Sequence, residues 1–164
     1  MEHAPLNTWQ QHAKTKEISF KIIHKYYPAN HYLIKLKKDI DVNCSFCAVL
    51  PETVCHLFWH CPYVKRLWQD ICVFVIDHIY ADFSLYWKDI LFGVSNYDRN
   101  KKSEFYIINL IILLAKFYIH KCKFTKNKPI YLVFEKELKI YINSIKDSSN
   151  KKALKTINSL LVII

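Results

Sequence analysis

One glycine, one methionine and five prolines in 164 residues leave this chain little material for flexible linkers or low-complexity tails. With 52% hydrophobic residues it has enough to bury one core, so it reads as a single domain or a core with a small appendage. Met1 to Thr8 have neither a basic start nor an apolar run, so no secretory leader is visible. An intracellular location, cytoplasmic and/or nuclear, is therefore expected, and six cysteines in such a setting point to metal binding rather than a disulfide framework. The apolar run over 105–115 is eleven residues, interrupted by Asn109, and is too short to cross a bilayer, so no membrane partner is expected.

What is present is a compact set of ligand-type residues. Cys44, Cys47, His56 and Cys61 are spaced C-x2-C-x8-H-x4-C. Three thiolates and one imidazole complete a tetrahedral shell for zinc, and four protein ligands leave no open position for a reacting water. Cys44 and Cys47 then belong on a tight turn, and residues 51–61 bring the other two ligands back to it. Cys55 and His60 flank the set and are ligand-capable, so spacing fixes the third and fourth ligands less firmly than the first two.

The words around these ligands carry a resemblance. Glu52-Thr53, His56-Leu57-Phe58, Cys61-Pro62 and Leu67-Trp68 follow the C-x2-C pair in order, and Phe20-Lys21-Ile22-Ile23-His24-Lys25-Tyr26-Tyr27-Pro28 precedes it. This pattern resembles the zinc-binding segment downstream of the reverse transcriptase in non-LTR (LINE-class) retrotransposon polyproteins, and residues 109–124 look like the tail of vertebrate members. The likeness covers about 16–146. It implies a bound zinc ion, a role in holding RNA or single-stranded DNA near a polymerase, and a fragment or domesticated remnant of a longer polyprotein. The upstream polymerase part would then be a partner.

Charge is unevenly spread. Residues 1–98 hold ten basic and ten acidic residues, whereas 99–164 hold fourteen and four, so the whole net charge of +10 lies in the second part. Excess lysine beside a metal module is what capture of phosphate backbones needs. Lys65, Arg66, Lys116, Lys121, Lys123, Lys126 and Lys128 are the candidate nucleic-acid contacts, the cluster over 116–128 being expected to reach outward from the end of a buried helix. Aromatic residues interleave with lysines near the metal motif. Phe58 and Trp68 are expected in the core, and Phe46 is divided between core and base-stacking roles. The rival from another class is a zinc-stapled protein-interaction module with no nucleic-acid affinity.

The expected fold is mostly α, a small helical domain with the Cys-Cys-His-Cys module near residues 40–61. Its parts are an amino-terminal extension (1–14), the zinc-binding module with flanking helices (15–98), and a basic helical part (99–164) on the same core. Ile18, Ile22, Ile23 and Tyr26 mark a helix ended by Pro28, and Asn30 caps a short one. Pro62 opens a helix to about Ile79, and Ser84 caps another that Gly93 stops. A helix over 103–123 carries one polar stripe of Asn109, Lys116, His120 and Lys123. Pro129 opens the next, with Val133, Phe134, Leu138, Tyr141, Ile142 and Ile145 inward and Lys136, Lys139 and Lys146 outward, and a last helix runs past Ala153. No enzyme activity is expected. Tyr80-Ala81-Asp82-Phe83 has only half of a polymerase active-site word, since two-metal chemistry needs a second carboxylate where Phe83 stands. Neither a His-Glu-x-x-His word nor a βαβ setting for a redox Cys pair is present.

Overall fold

The computed structural model describes residues 8–36, 39–95 and 99–146, and among these it is helical with no strand, only an isolated bridge between Asn43 and Pro51. The helices are α1 (Thr8–Ile23), α2 (Asn30–Leu33), α3 (Pro62–His78), α4 (Trp87–Phe92), α5 (Lys102–Thr125) and α6 (Tyr131–Lys146). A π turn over His56–His60 precedes α3, and a 3-10 turn over Arg99–Lys101 precedes α5.

Helix α1 begins at Thr8, inside the stretch expected as an extension. Thr15, Ile18 and Ile22 recur three and four residues apart, which puts them on one face, and that face is buried. The helix packs most extensively on α5. Proline at the first position of α3 loses no intrahelical bond, and Val64, Leu67, Trp68, Ile71 and Val75 form its buried stripe as their spacing predicts. Asp82 lies in the turn after α3.

Helix α4 starts later than a Ser84 cap would place it. Tyr86 is the N-cap, and its backbone N–H donates to the Asp89 carboxylate at 2.8 Å, a reach that Ser84 is too far upstream to share. The chain's one glycine closes this helix at φ 84, where a Cβ would also meet Asn109 Oδ1 at 2.9 Å. Asn109 uses that space: it accepts from Val94 N–H at 2.7 Å and donates to Val94 O at 2.9 Å, tying the end of α4 to α5.

Helix α5 is the wall against which α1, α4 and α6 pack. Its 24 residues span roughly 36 Å, and Ile108, Ile111, Ala115 and Ile119 are almost fully buried. By length and composition it could cross a membrane, more than its eleven-residue run implied, but 67% of its most apolar window is buried, which accounts for the apolar sequence. Helix α6 buries Phe134, Leu138, Tyr141 and Ile142. Each such side chain contributes about 1.5–3 kcal/mol on burial. Val133, expected inward, is 45% exposed, because α6 begins at Tyr131 and its buried stripe starts at Phe134. The Ile145 and Lys146 side chains, and the helix expected past Ala153, lie outside the described residues.

Candidate metal centre

Cys44 and Cys47 sit on a turn whose ends are pinned together. Cys44 N–H donates to Leu50 O and Glu52 N–H to Val42 O, both at 2.8 Å, and Ala48 N–H returns to Cys44 O at 2.9 Å. Ala48 pays for this reversal with φ 56, a left-handed conformation that costs a non-glycine residue about 1–2 kcal/mol. The Phe46 N–H lies 3.4 Å from Cys44 Sγ and donates toward it, while the Phe46 ring is buried, which gives it to the core rather than to base stacking. Phe58 and Trp68 are buried too.

The other two donors come from the π turn. Cys61 N–H donates to His56 O at 2.8 Å, a bond five residues back, and this wider coil brings positions 56 and 61 toward the same side. Thr53 Oγ1 accepts from His56 N–H at 3.0 Å at the start of the turn. Trp68 Nε1–H donates to Phe58 O at 2.8 Å and locks the turn onto α3.

Three sulfurs and one imidazole nitrogen, from Cys44, Cys47, His56 and Cys61, thus lie within 4.8 Å of one another. The Cys44 and Cys61 sulfurs are 3.8 Å apart, and Cys47 Sγ is 3.3 Å from His56 Nε2. Tetrahedral ligation with metal–sulfur bonds of about 2.3 Å sets sulfurs about 3.8 Å apart, so both the donor chemistry and the spacing fit a metal ion. Cys55 and His60 are not in this group. They line a groove of about 240 Å³ between the π turn and α4, together with Trp59, Trp87 and Leu91. None of His24, His78 and His120 joins it either.

The Cys44 thiol donates to Cys61, which raises the Cys44 pKa and lowers that of Cys61. Burial lowers the pKa of His56, favouring the neutral imidazole that a metal requires.

Beside the turn lies a residue that was legible only as part of a motif word. Glu52 is completely buried, yet its carboxylate accepts four hydrogen bonds. Oε2 takes the Ser45 N–H at 2.8 Å and the Ser45 hydroxyl, while Oε1 takes the Asn30 N–H at 3.0 Å and the Lys123 ammonium at 2.6 Å. Lys123 also donates to Pro28 O at 2.6 Å. A carboxylate between two ligand pairs is the only sequence signal that could have flagged it.

The expected nucleic-acid contacts separate into two groups. Lys116 and Lys123 do not reach outward: they are 4% and 7% exposed, and burial lowers the Lys116 pKa to about 8. The stripe they share with Asn109 and His120 faces inward, where His120 Nδ1 meets the Tyr27 hydroxyl at 3.0 Å and Lys123 meets Glu52. Lys121 is engaged in a 2.6 Å ion pair with Glu137. Lys65, Arg66, Lys126 and Lys128 are exposed. Among them Lys128 donates to the Tyr63 hydroxyl at 2.7 Å with its ammonium 4.3 Å from the ring centre, and Arg66 lies one turn along α3 from Tyr63, 3.5 Å from Asp70.

Residues 4–68 match the protein family described as zinc-binding in reverse transcriptase. The matched stretch holds all four metal-cluster residues and Glu52 and ends at Trp68 on α3. The match starts earlier than the resemblance drawn from motif words and does not extend to residues 109–124. Neither a curated protein nor a solved structure gives a match.

Proposed function

We propose that this protein is a zinc-stabilised module that binds single-stranded RNA or DNA and performs no chemistry itself. In this reading it is related to the carboxy-terminal segment of non-LTR retrotransposon polyproteins, works inside the cell, and has a polymerase part as partner. Four protein donors close the metal shell, which suits a structural zinc ion rather than a catalytic one. The observation that carries the binding role is the patch at the exit of the metal site, where Tyr63, Lys65, Arg66 and Lys128 are exposed within a few residues of Cys61 or bonded to that segment. An aromatic ring held beside cations offers a stacking face and phosphate contacts together.

Replacing Lys65, Arg66 and Lys128 together by Gln is expected to weaken binding to unrelated single-stranded RNAs alike. The slope of log affinity against log salt should flatten by about 2, at roughly 0.7 per lost phosphate contact. Fluorescence anisotropy across a salt series measures both. Equal slopes for the variant and the parent would remove this patch from the reading. A second reading, a protein-interaction module, draws on the apolar groove beside the π turn, where Trp87 is half exposed, and a parent protein without affinity at low salt would favour it.

A further inference from the structure

Lys123 is 71 residues from Glu52 in sequence and belongs to a helix outside the family match, yet its ammonium lies 2.6 Å from the carboxylate that braces the metal-site turn. Glu52 has no solvent exposure and the Lys123 side chain has 6%, so neither charge is screened by water. The opposite oxygen of Glu52 holds both the backbone and the side chain of Ser45, the residue next to Cys44. A continuous path of short hydrogen bonds therefore runs from α5 through Glu52 to the turn that presents Cys44 and Cys47.

Charge gives this path a direction. Three thiolates around a dication would leave the loaded site with a net charge of −1. Loading would place that charge beside Ser45, whose backbone and side chain Glu52 holds. A cation on Glu52 offsets that charge, and an apolar side chain in its place would not.

We propose that Lys123 is a positioning residue for the metal site, acting through Glu52 and Ser45, so that metal occupancy and the seating of the carboxy-terminal end of α5 are coupled. Coupling of this kind is reciprocal. Lys123 strengthens metal binding, and metal binding fastens the end of α5 to the Pro28–Asn30 segment and the turn.

The inference rests on zinc occupying the four donors, and the experiment separates the two ideas. Zinc affinity of the full chain is measured by competition with a chromophoric chelator, with the Co2+ visible spectrum as a readout of ligand geometry. Lys123→Met is expected to lower zinc affinity about 10- to 100-fold, the range for residues that orient ligands from behind, and to perturb the Co2+ spectrum. Lys121→Met, which breaks only the partly exposed pair with Glu137, should leave both unchanged. A parent protein that binds zinc tightly and a Lys123→Met variant that binds it equally well would overturn the coupling alone. A parent that binds no zinc would overturn both ideas. Because the variant could fail to fold, hydrogen exchange on the parent gives a test without substitution: on chelation, amides near 119–125 should lose protection together with those of 42–61. Unchanged protection at the end of α5 would overturn the proposal.

Discussion

Lys116 is buried in the apolar middle of α5, and desolvation alone lowers its pKa to about 8. An unfolded chain keeps a lysine protonated to about pH 10.4, so below pH 8 the native state bears the full cost of a buried ammonium. As pH rises from 8 to about 10.4 the native lysine discharges first and that cost fades. Lys116→Met is therefore expected to stabilise the protein by about 1–3 kcal/mol at pH 7, with the gain shrinking by pH 10. Urea melts of both proteins at the two pH values check this, and a less stable variant at pH 7, or a gain that does not change with pH, would count against it. The same residue marks how far single residues are legible in sequence. The cluster of Cys44, Cys47, His56 and Cys61 is legible because all four stand in one short stretch at a ligand spacing. The polar stripe of α5 is legible as a stripe but not as inward-facing. Its partners are the Val94 backbone, the Tyr27 hydroxyl and the Glu52 carboxylate, 15, 93 and 71 residues away.

Among elements, the metal-site turn, the π turn and α3 form one mechanical unit. Cys61 is at once a member of the Cys-Cys-His-Cys cluster, the acceptor of the first backbone bond of α3 from Lys65, and the N-cap of that helix. Removing the metal with a strong chelator, or making Cys47→Ser, should therefore loosen the start of α3 as well as residues 40–61. The melting temperature is expected to fall by about 10 °C or more, since losing several kcal/mol shifts a domain of this size by roughly 2–4 °C per kcal/mol. Differential scanning calorimetry with and without chelator decides it, and superimposable melts would show the cysteines to be incidental to stability. Pro62 and Gly93 announce the start of α3 and the end of α4 from sequence, because each residue's backbone restrictions act locally. The π turn has no such marker. It differs from an α turn by the register of one hydrogen bond, and that register follows from bringing His56 and Cys61 to a common point.

At the scale of the whole molecule, the family match and the folding unit do not coincide. The match ends at Trp68, whereas α1, which lies within it, packs chiefly on α5, and α5 also receives α4 and α6. The buried tyrosine of the matched stretch, Tyr27, meets His120 of α5, and the buried acid meets Lys123 of the same helix. A shortened chain of residues 1–80 would keep every metal donor and lose the wall that covers Ile18, Ile22 and Tyr27. Such a piece is expected to bind zinc through the turn and yet melt without a cooperative transition, exposing apolar surface that α5 would otherwise cover. The full chain should melt in a single step, because its buried residues form one contiguous core. Calorimetry and binding of a hydrophobic dye to the zinc-loaded piece make the comparison. A sharp transition and no dye binding for residues 1–80 would mean that the metal module is a self-sufficient domain to which α5 is merely attached. That result would also sever the route by which α5 could influence the metal.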